Sequence, residues 1–190
     1  MVITHEQEKL SDAILFFVKH TRSCGITKLL KLLFFFDFTH FQQTGRSVTG
    51  QVYKTWKRGP APSDVWRELR FGAPTFLSET VYINYIPNEE NERTFAKIVP
   101  RRKYDGRFFS KREQRILENL AVVYRDATAN DMVEITHLKN SPWDRTLKQQ
   151  GENAVIDYMM ALDGGPSQLD EEEIRARLDE DKEEKRLMGI

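Results

Sequence analysis

Two pairs of side chains in this sequence have the spacing of metal ligands. Asp37 and His40, and again Glu134 and His137, are carboxylate-x-x-His pairs. On a helix, residues three apart share a face, so each pair offers two ligands to one ion. Helical di-iron sites use two Glu-x-x-His pairs, but they add two further carboxylates from other helices, and here the first pair carries Asp. The ligand set is incomplete, and the residues read better as groups that bridge packed helices. Gly45 and Gly50 have the GxxxxG spacing of a phosphate loop, but Gln51 and Val52 follow them. Without the lysine and the hydroxyl, neither the β/γ-phosphate contact nor the magnesium ligand exists. Cys24 lies four residues after His20, and a small buried hydrophobe explains a lone cysteine as well as a nucleophile does. No GxSxG, HExxH, GxGxxG, CxxC or kinase signature occurs, so no catalytic set, metal or cofactor is expected.

The remaining chemistry is cationic. Lys97, Arg101, Arg102, Lys103, Arg107, Lys111, Arg112 and Arg115 are opposed in that stretch by Asp105 and Glu113 alone, with Tyr104, Phe108 and Phe109 interleaved. Basic residues among aromatics suit phosphate binding, but a solvated face is the commoner reading of such a run. A recognition helix with its turn is missing, which weakens sequence-specific DNA reading. Overall charge is zero but divided: residues 1–151 sum to +7 and residues 152–190 to −7. An acidic tail on a basic body permits an anionic partner for the body or a basic one for the tail.

These groups need elements to hold them. Thr4 and Gln7 form a capping box for a first helix, carrying Leu10, Ile14, Phe17 and Val18. The stretch from Ile26 to Phe41 has almost no polar face, with Lys28, Lys31 and Asp37 as interruptions, and predicts a central buried helix ended by Gly45. Val52–Trp56 reads as a strand and Arg58–Pro62 as a rigid turn, with Ser63 capping a short helix through Val65, Trp66 and Leu69. Val81–Ile86 and Phe95–Val99 predict an antiparallel hairpin. Ser110 with Glu113, Thr128 with Asp131, and Ser141 before Pro142 mark three more helix starts. Ala154–Leu162 predicts a last apolar helix, and Asp163–Pro166 the end of the compact part. The fold class expected is α+β, mainly α-helical: a compact helical domain at 1–165 around one central apolar helix with a small antiparallel hairpin. An acidic tail at 166–190 follows, helical or disordered, with nine acidic residues and too few apolar ones to fold alone. Hydrophobic residues make up 39% of the 190 and aromatics 11%, enough for a core. With no long uncharged apolar run and no signal-peptide pattern, the chain reads as cytoplasmic.

Three segments together resemble a known family. Lys28, Lys31, Leu32, Leu33, His40, Thr44 and Gly45 match a Lys-x-x-Lys-Leu-Leu helix that ends in His and Thr-Gly. Trp56, Gly59 and Pro60 match a Trp-x-x-Gly-Pro turn, and His137 with Trp143 a later His…Trp. In their order and spacing these are similar to the Panacea domain, the SocA-like antitoxin domain of bacterial and phage toxin–antitoxin pairs, over residues 28 to about 162. The resemblance implies a small, mostly helical domain with a minor sheet. It implies an antitoxin that neutralises a cognate toxin protein by direct binding, without catalysis. Relatives are paired with unrelated toxins, including enzymes that modify RNA or make alarmone-like nucleotides, and some act as adaptors that hand a toxin to a protease. Two functions compete with neutralisation by binding: a nucleic-acid-binding autoregulator using the stretch 97–115, and a metalloenzyme using His40 and His137. The expected partner-binding residues are Tyr53, Trp56, Lys57, Arg58, Trp66 and Arg70, aromatic and cationic anchors around the Gly-Pro turn. Trp56 and Trp66 serve equally well as core that cements the sheet to the long helix. His40, Gly59, Pro60, His137 and Trp143 are expected to be structural.

Overall fold

A computed structural model of the chain describes residues 4–72, 75–87, 94–162 and 171–188. The first helix, α1 (His5–His20), starts at Thr4 with both halves of the capping box in place, and buries Leu10, Ala13, Ile14 and Phe17. The second, α2 (Ile26–Thr44), is the centre of the fold. Leu29, Leu32, Leu33, Phe36 and Phe41 on it are completely buried, and neighbours cover it on every side. That follows from its composition, since a helix apolar all round needs partners all round. It ends at Gly45, whose backbone is left-handed at φ 72°, a conformation that glycine adopts without steric cost.

The chain then forms a hairpin of β1 (Tyr53–Trp56) and β2 (Gly59–Pro62), with Tyr53 opposite Pro62 and Trp56 opposite Gly59. The Gly-Pro-Ala-Pro run is therefore a strand and not the expected turn; the turn is Lys57-Arg58. Two prolines fit because of the pairing phase. Thr55 N donates to Ala154 O, and the Asn153 and Ile156 amides donate to Thr55 O and Tyr53 O. Tyr53 and Thr55 thus spend their backbone groups away from β2, so their opposites, Pro62 and Pro60, need no N–H toward β1. Residues 154–156 run extended beside β1, through the bridge of Lys54 to Val155. The helix expected over 154–162 reduces to a 3₁₀ turn at Tyr158–Ala161, because β1 recruits the preceding residues as a neighbour.

Next come α3 (Ser63–Phe71) and the short α4 (Phe76–Thr80). Ser63 is the first residue of α3 and not its cap; Pro62 holds the cap position and no side chain bonds there. The second hairpin pairs β3 (Val81–Pro87) with β4 (Thr94–Pro100) antiparallel, as expected, with Val81 opposite Pro100 and Ile86 opposite Phe95. Three capped helices follow, α5 (Lys111–Val123), α6 (Ala129–Thr136) and α7 (Pro142–Gln150), each opened by the serine or threonine that its sequence predicts. The last helix, α8 (Glu171–Met188), lies in the acidic tail. The boundary expected at Asp163–Pro166 lies outside the described residues. The molecule is thus mainly helical, with two small antiparallel sheets. Among the described residues, no helix is long and apolar enough to cross a membrane.

One feature of the tail departs from a purely solvated helix. Ile174 is fully buried against Phe41 and Leu162. A Cβ at Gly45 would stand 3.0 Å from Ile174 Cγ1, so Gly45 both turns the chain and leaves room for the tail to dock.

Candidate partner-binding surface

The polar residues of α2 are interior fasteners. Lys28 is completely buried, and its ammonium donates to three carbonyls, of Arg22, Arg125 and Ala127, at 2.7–3.1 Å. It thereby ties the α1–α2 and α5–α6 connections together. Asp37, also fully buried, accepts four bonds: Val48 N and Thr49 N on Oδ1 at 2.8 Å, Thr49 Oγ1 and the Tyr53 hydroxyl on Oδ2 at 2.5 and 2.7 Å. Burial pushes this carboxyl up, and the four donors pull against that. Together they strap the 45–53 connection onto α2. His40 donates from Nδ1 to Arg46 O at 2.7 Å, and burial lowers its pKa.

Lys31 is different. It is 2% exposed, and its ammonium donates to Pro60 O at 2.7 Å, one acceptor where Lys28 has three. Burial first, and the charge of Arg58 second, bring its pKa down to about 7. Gly59 is packed against it: at φ 90°, a Cβ there would lie 2.6 Å from Thr136 Oγ1 and 3.1 Å from Lys31 Nζ. His137 lies flat on Trp143 with ring centroids 3.9 Å apart, while Trp143 Nε1 donates to Trp56 O at 3.1 Å. His40, Gly59, Pro60, His137 and Trp143 all sit at such junctions between distant segments.

The unusual pKa of Lys31 has a measurable consequence. An unfolded lysine holds its proton to about pH 10.4, whereas the folded one releases it near 7. Between these values the unfolded chain binds more protons, so stability rises with pH. Chemical unfolding at pH 7 and pH 9 should show a gain on the order of 2 kcal/mol. In Lys31→Met the gain should vanish; equal pH dependence in both proteins would show that Lys31 keeps an ordinary pKa in the fold.

The metal-ligand spacing is not converted into a site. Asp37 is saturated by its donors, Glu134 is exposed and His137 stacks on Trp143. Among the described residues, no three His, Cys, Asp or Glu side chains converge as an ion requires.

The surface around the first hairpin is where partner chemistry collects. Tyr53 is fully buried, with its hydroxyl on Asp37, so it drops out of the expected patch: Tyr53 and Thr55 share the inner face of β1, and the half-buried Lys54 and Trp56 the other. Lys57 and Arg58 are exposed at the hairpin turn. Arg58, Trp66 and Arg70 line one groove of about 580 Å³, shared with Phe95 of β4. Trp56 meets Trp66 edge-on at 5.1 Å, and Trp66 meets Phe71 edge-on at 5.5 Å. Both tryptophans are half-buried, so each contributes to core and surface together. Arg70 lies over the Tyr85 ring at 5.6 Å. Phe71 is 71% exposed, Tyr85 43% and Phe95 42%. The sequence reading missed these three. Outward positions on a two-stranded hairpin, and an aromatic just before a helix-ending glycine, were the available signals.

The basic stretch disperses. Arg102 pairs with Asp12 at 2.7 Å and Arg107 with Asp105 at 2.6 Å. Arg101 stacks over Tyr82 and Arg112 donates to Gln43 O. The run as a whole therefore does not form one cationic face; of its residues, Lys97, Arg102 and Lys103 come to one groove.

A family model described as "Antitoxin SocA-like, Panacea domain" matches residues 29–144. No curated protein and no solved structure matches the chain.

Proposed function

The chain belongs to the antitoxin SocA-like, Panacea domain family, and from that premise we propose that it neutralises a cognate toxin by binding it through the surface formed by Arg58, Trp66, Arg70, Phe71, Tyr85 and Phe95. The observation that carries the reading is the adjacency of two grooves that share Arg70: Arg58, Trp66 and Phe95 line one with it, and Phe71 and Tyr85 line the other. Tyr, Trp and Arg dominate the energetics of protein interfaces, because the rings desolvate large areas with few rotatable bonds and the planar guanidinium pairs in fixed geometry. A toxin that docks here would cover apolar area that is otherwise left in water. Neutralisation of this kind asks for a rigid scaffold and a complementary face, and the junctions around Lys28, Lys31, Asp37 and Trp143 supply the rigidity.

The test pairs growth rescue with affinity, using the protein encoded by the adjacent gene as the toxin. The double change Trp66→Ala with Arg70→Ala should weaken binding by about thirtyfold or more, the effect of losing about 2 kcal/mol at an anchor, and should abolish rescue. Arg58→Gln, at the exposed hairpin turn, should weaken binding while the domain stays folded. Full rescue and unchanged affinity in both variants would place the interface elsewhere. A melting temperature that falls sharply in the double variant while affinity holds would assign Trp66 to the core alone.

A further inference from the structure

On the far side of Phe95, between the C-terminal half of α1 and β4, the fold leaves a second and larger groove, of about 1060 Å³. Its floor is apolar, from Leu15 and Val18 of α1 and Ile98 of β4, and Ile86 and Phe95, 40% and 42% exposed, form one lip. Its polar boundary is cationic: Lys19, Lys97, Arg102 and Lys103 line it, and among the described residues no acidic one does. Arg102 is paired with Asp12. The three lysines have no acidic partner among the described residues. Phe95 and Ser23 line both this groove and the one that holds Trp66 and Arg70, so the two form a continuous surface.

We propose that this groove docks an acidic amphipathic helix of the partner protein, its apolar face on Leu15, Val18 and Ile98 and its carboxylates on Lys19, Lys97 and Lys103. This rests on the antitoxin reading above and names the second half of the same interface. Three observations bear on that occupant. Among the described residues the charge is of one sign at the rim and absent from the Leu15, Val18 and Ile98 floor, which matches a helix with one apolar and one acidic face. The volume, about 1060 Å³, lies at the top of the range of about 300–1,000 Å³ usual for small-molecule sites. The chain's own acidic helix, α8, is already docked elsewhere through Ile174. Cys24 also lines the groove, but burial raises its thiol to about 11, so the site offers contact and not a nucleophile.

The probe is a matched pair of synthetic amphipathic peptides with the same leucine face, one with glutamates and one with lysines on the other side. Each is titrated onto the full chain at low salt and followed by fluorescence anisotropy. The acidic peptide should bind at least about tenfold more tightly than the basic one. The triple change Lys19→Glu, Lys97→Glu, Lys103→Glu should remove that preference without altering the melting temperature, since all three side chains are exposed. Val18→Glu, on the floor, should weaken both peptides. Equal binding of the two peptides, or an acidic peptide held unchanged by the triple variant, would overturn the proposal. So would a single-stranded oligonucleotide that binds more tightly than the acidic peptide and is lost in the triple variant, which would make the groove a phosphate-binding face. A concentration-dependent dimer abolished by the triple variant would assign the groove to a second copy, against the proposal. Its failure is separable from failure of the antitoxin reading. If the peptide does not bind but Trp66→Ala with Arg70→Ala still abolishes rescue, the groove assignment alone falls. If the peptide binds as expected but that double variant rescues fully, the Trp66 surface falls.

Discussion

Leu33→Asp is expected to leave no cooperative unfolding transition and little full-length protein in cells. Leu33 is 0% exposed at the middle of α2, where α1, α5 and α6 pack around the helix. The substitution removes a buried side chain worth about 1.5–3 kcal/mol and puts a carboxylate where no donor is built to meet it. An unpaired buried charge costs several kcal/mol more, or forces the group to take up a proton. A domain of this size holds about 5–15 kcal/mol in total, so the two losses together approach all of it. Leu33→Met, which keeps the volume, should cost less than about 1.5 kcal/mol. Circular dichroism melts of the two variants check the pair. A folded Leu33→Asp protein that melts near the parent would show that α2 is not the centre of the core.

Asp37→Ala is the second large effect, and it acts by the opposite logic. Here the native carboxylate is the group the interior was built around. Its removal orphans the Val48 and Thr49 amides, the Thr49 hydroxyl and the Tyr53 hydroxyl together. Each buried donor left unpaired costs about 1–3 kcal/mol. Water entering the cavity recovers part of this, so a loss on the order of 4 kcal/mol is expected. Urea titration measures it, and hydrogen exchange should show the Val48 and Thr49 amides losing protection before the amides of α2. Asp37→Asn keeps one acceptor but turns an NH₂ toward the donors on the other oxygen, so it should rescue less than half of the loss. A cost below about 1 kcal/mol for Asp37→Ala would mean that the 45–53 connection is held by Tyr53 packing and not by the carboxylate.

The two effects separate what periodicity carries from what it does not. A run such as Leu29–Phe36 leaves no choice about burial, because no rotation of the helix puts its apolar side chains in water less than another does. The capping boxes at Thr4, Ser110 and Thr128 and the serine–proline start at Ser141 are equally local: a side chain bonding an amide three residues on depends on nothing distant. Those elements, the β3–β4 hairpin and the mainly helical class were determined by the sequence alone, as were the segments that identify the family. The GPAP run and residues 154–157 were not. Prolines suggested a turn and apolar spacing suggested a helix, yet both segments are extended, because β1 needs a neighbour on each side and offers each a backbone pattern it can satisfy. Burial of Tyr53 was also a tertiary decision, taken by the carboxylate of Asp37 sixteen positions earlier. The same holds for the binding surface. Trp66 and Arg70 could be suspected from residue type, but Phe71, Tyr85 and Phe95 join them only when α3 packs beside the second hairpin. Lys19 meets Lys97 and Lys103 only because α1 ends against β4. A helix start is fixed by neighbours in the chain, whereas a surface is fixed by which exposed faces the core leaves adjacent, and that adjacency is written in packing and not in spacing.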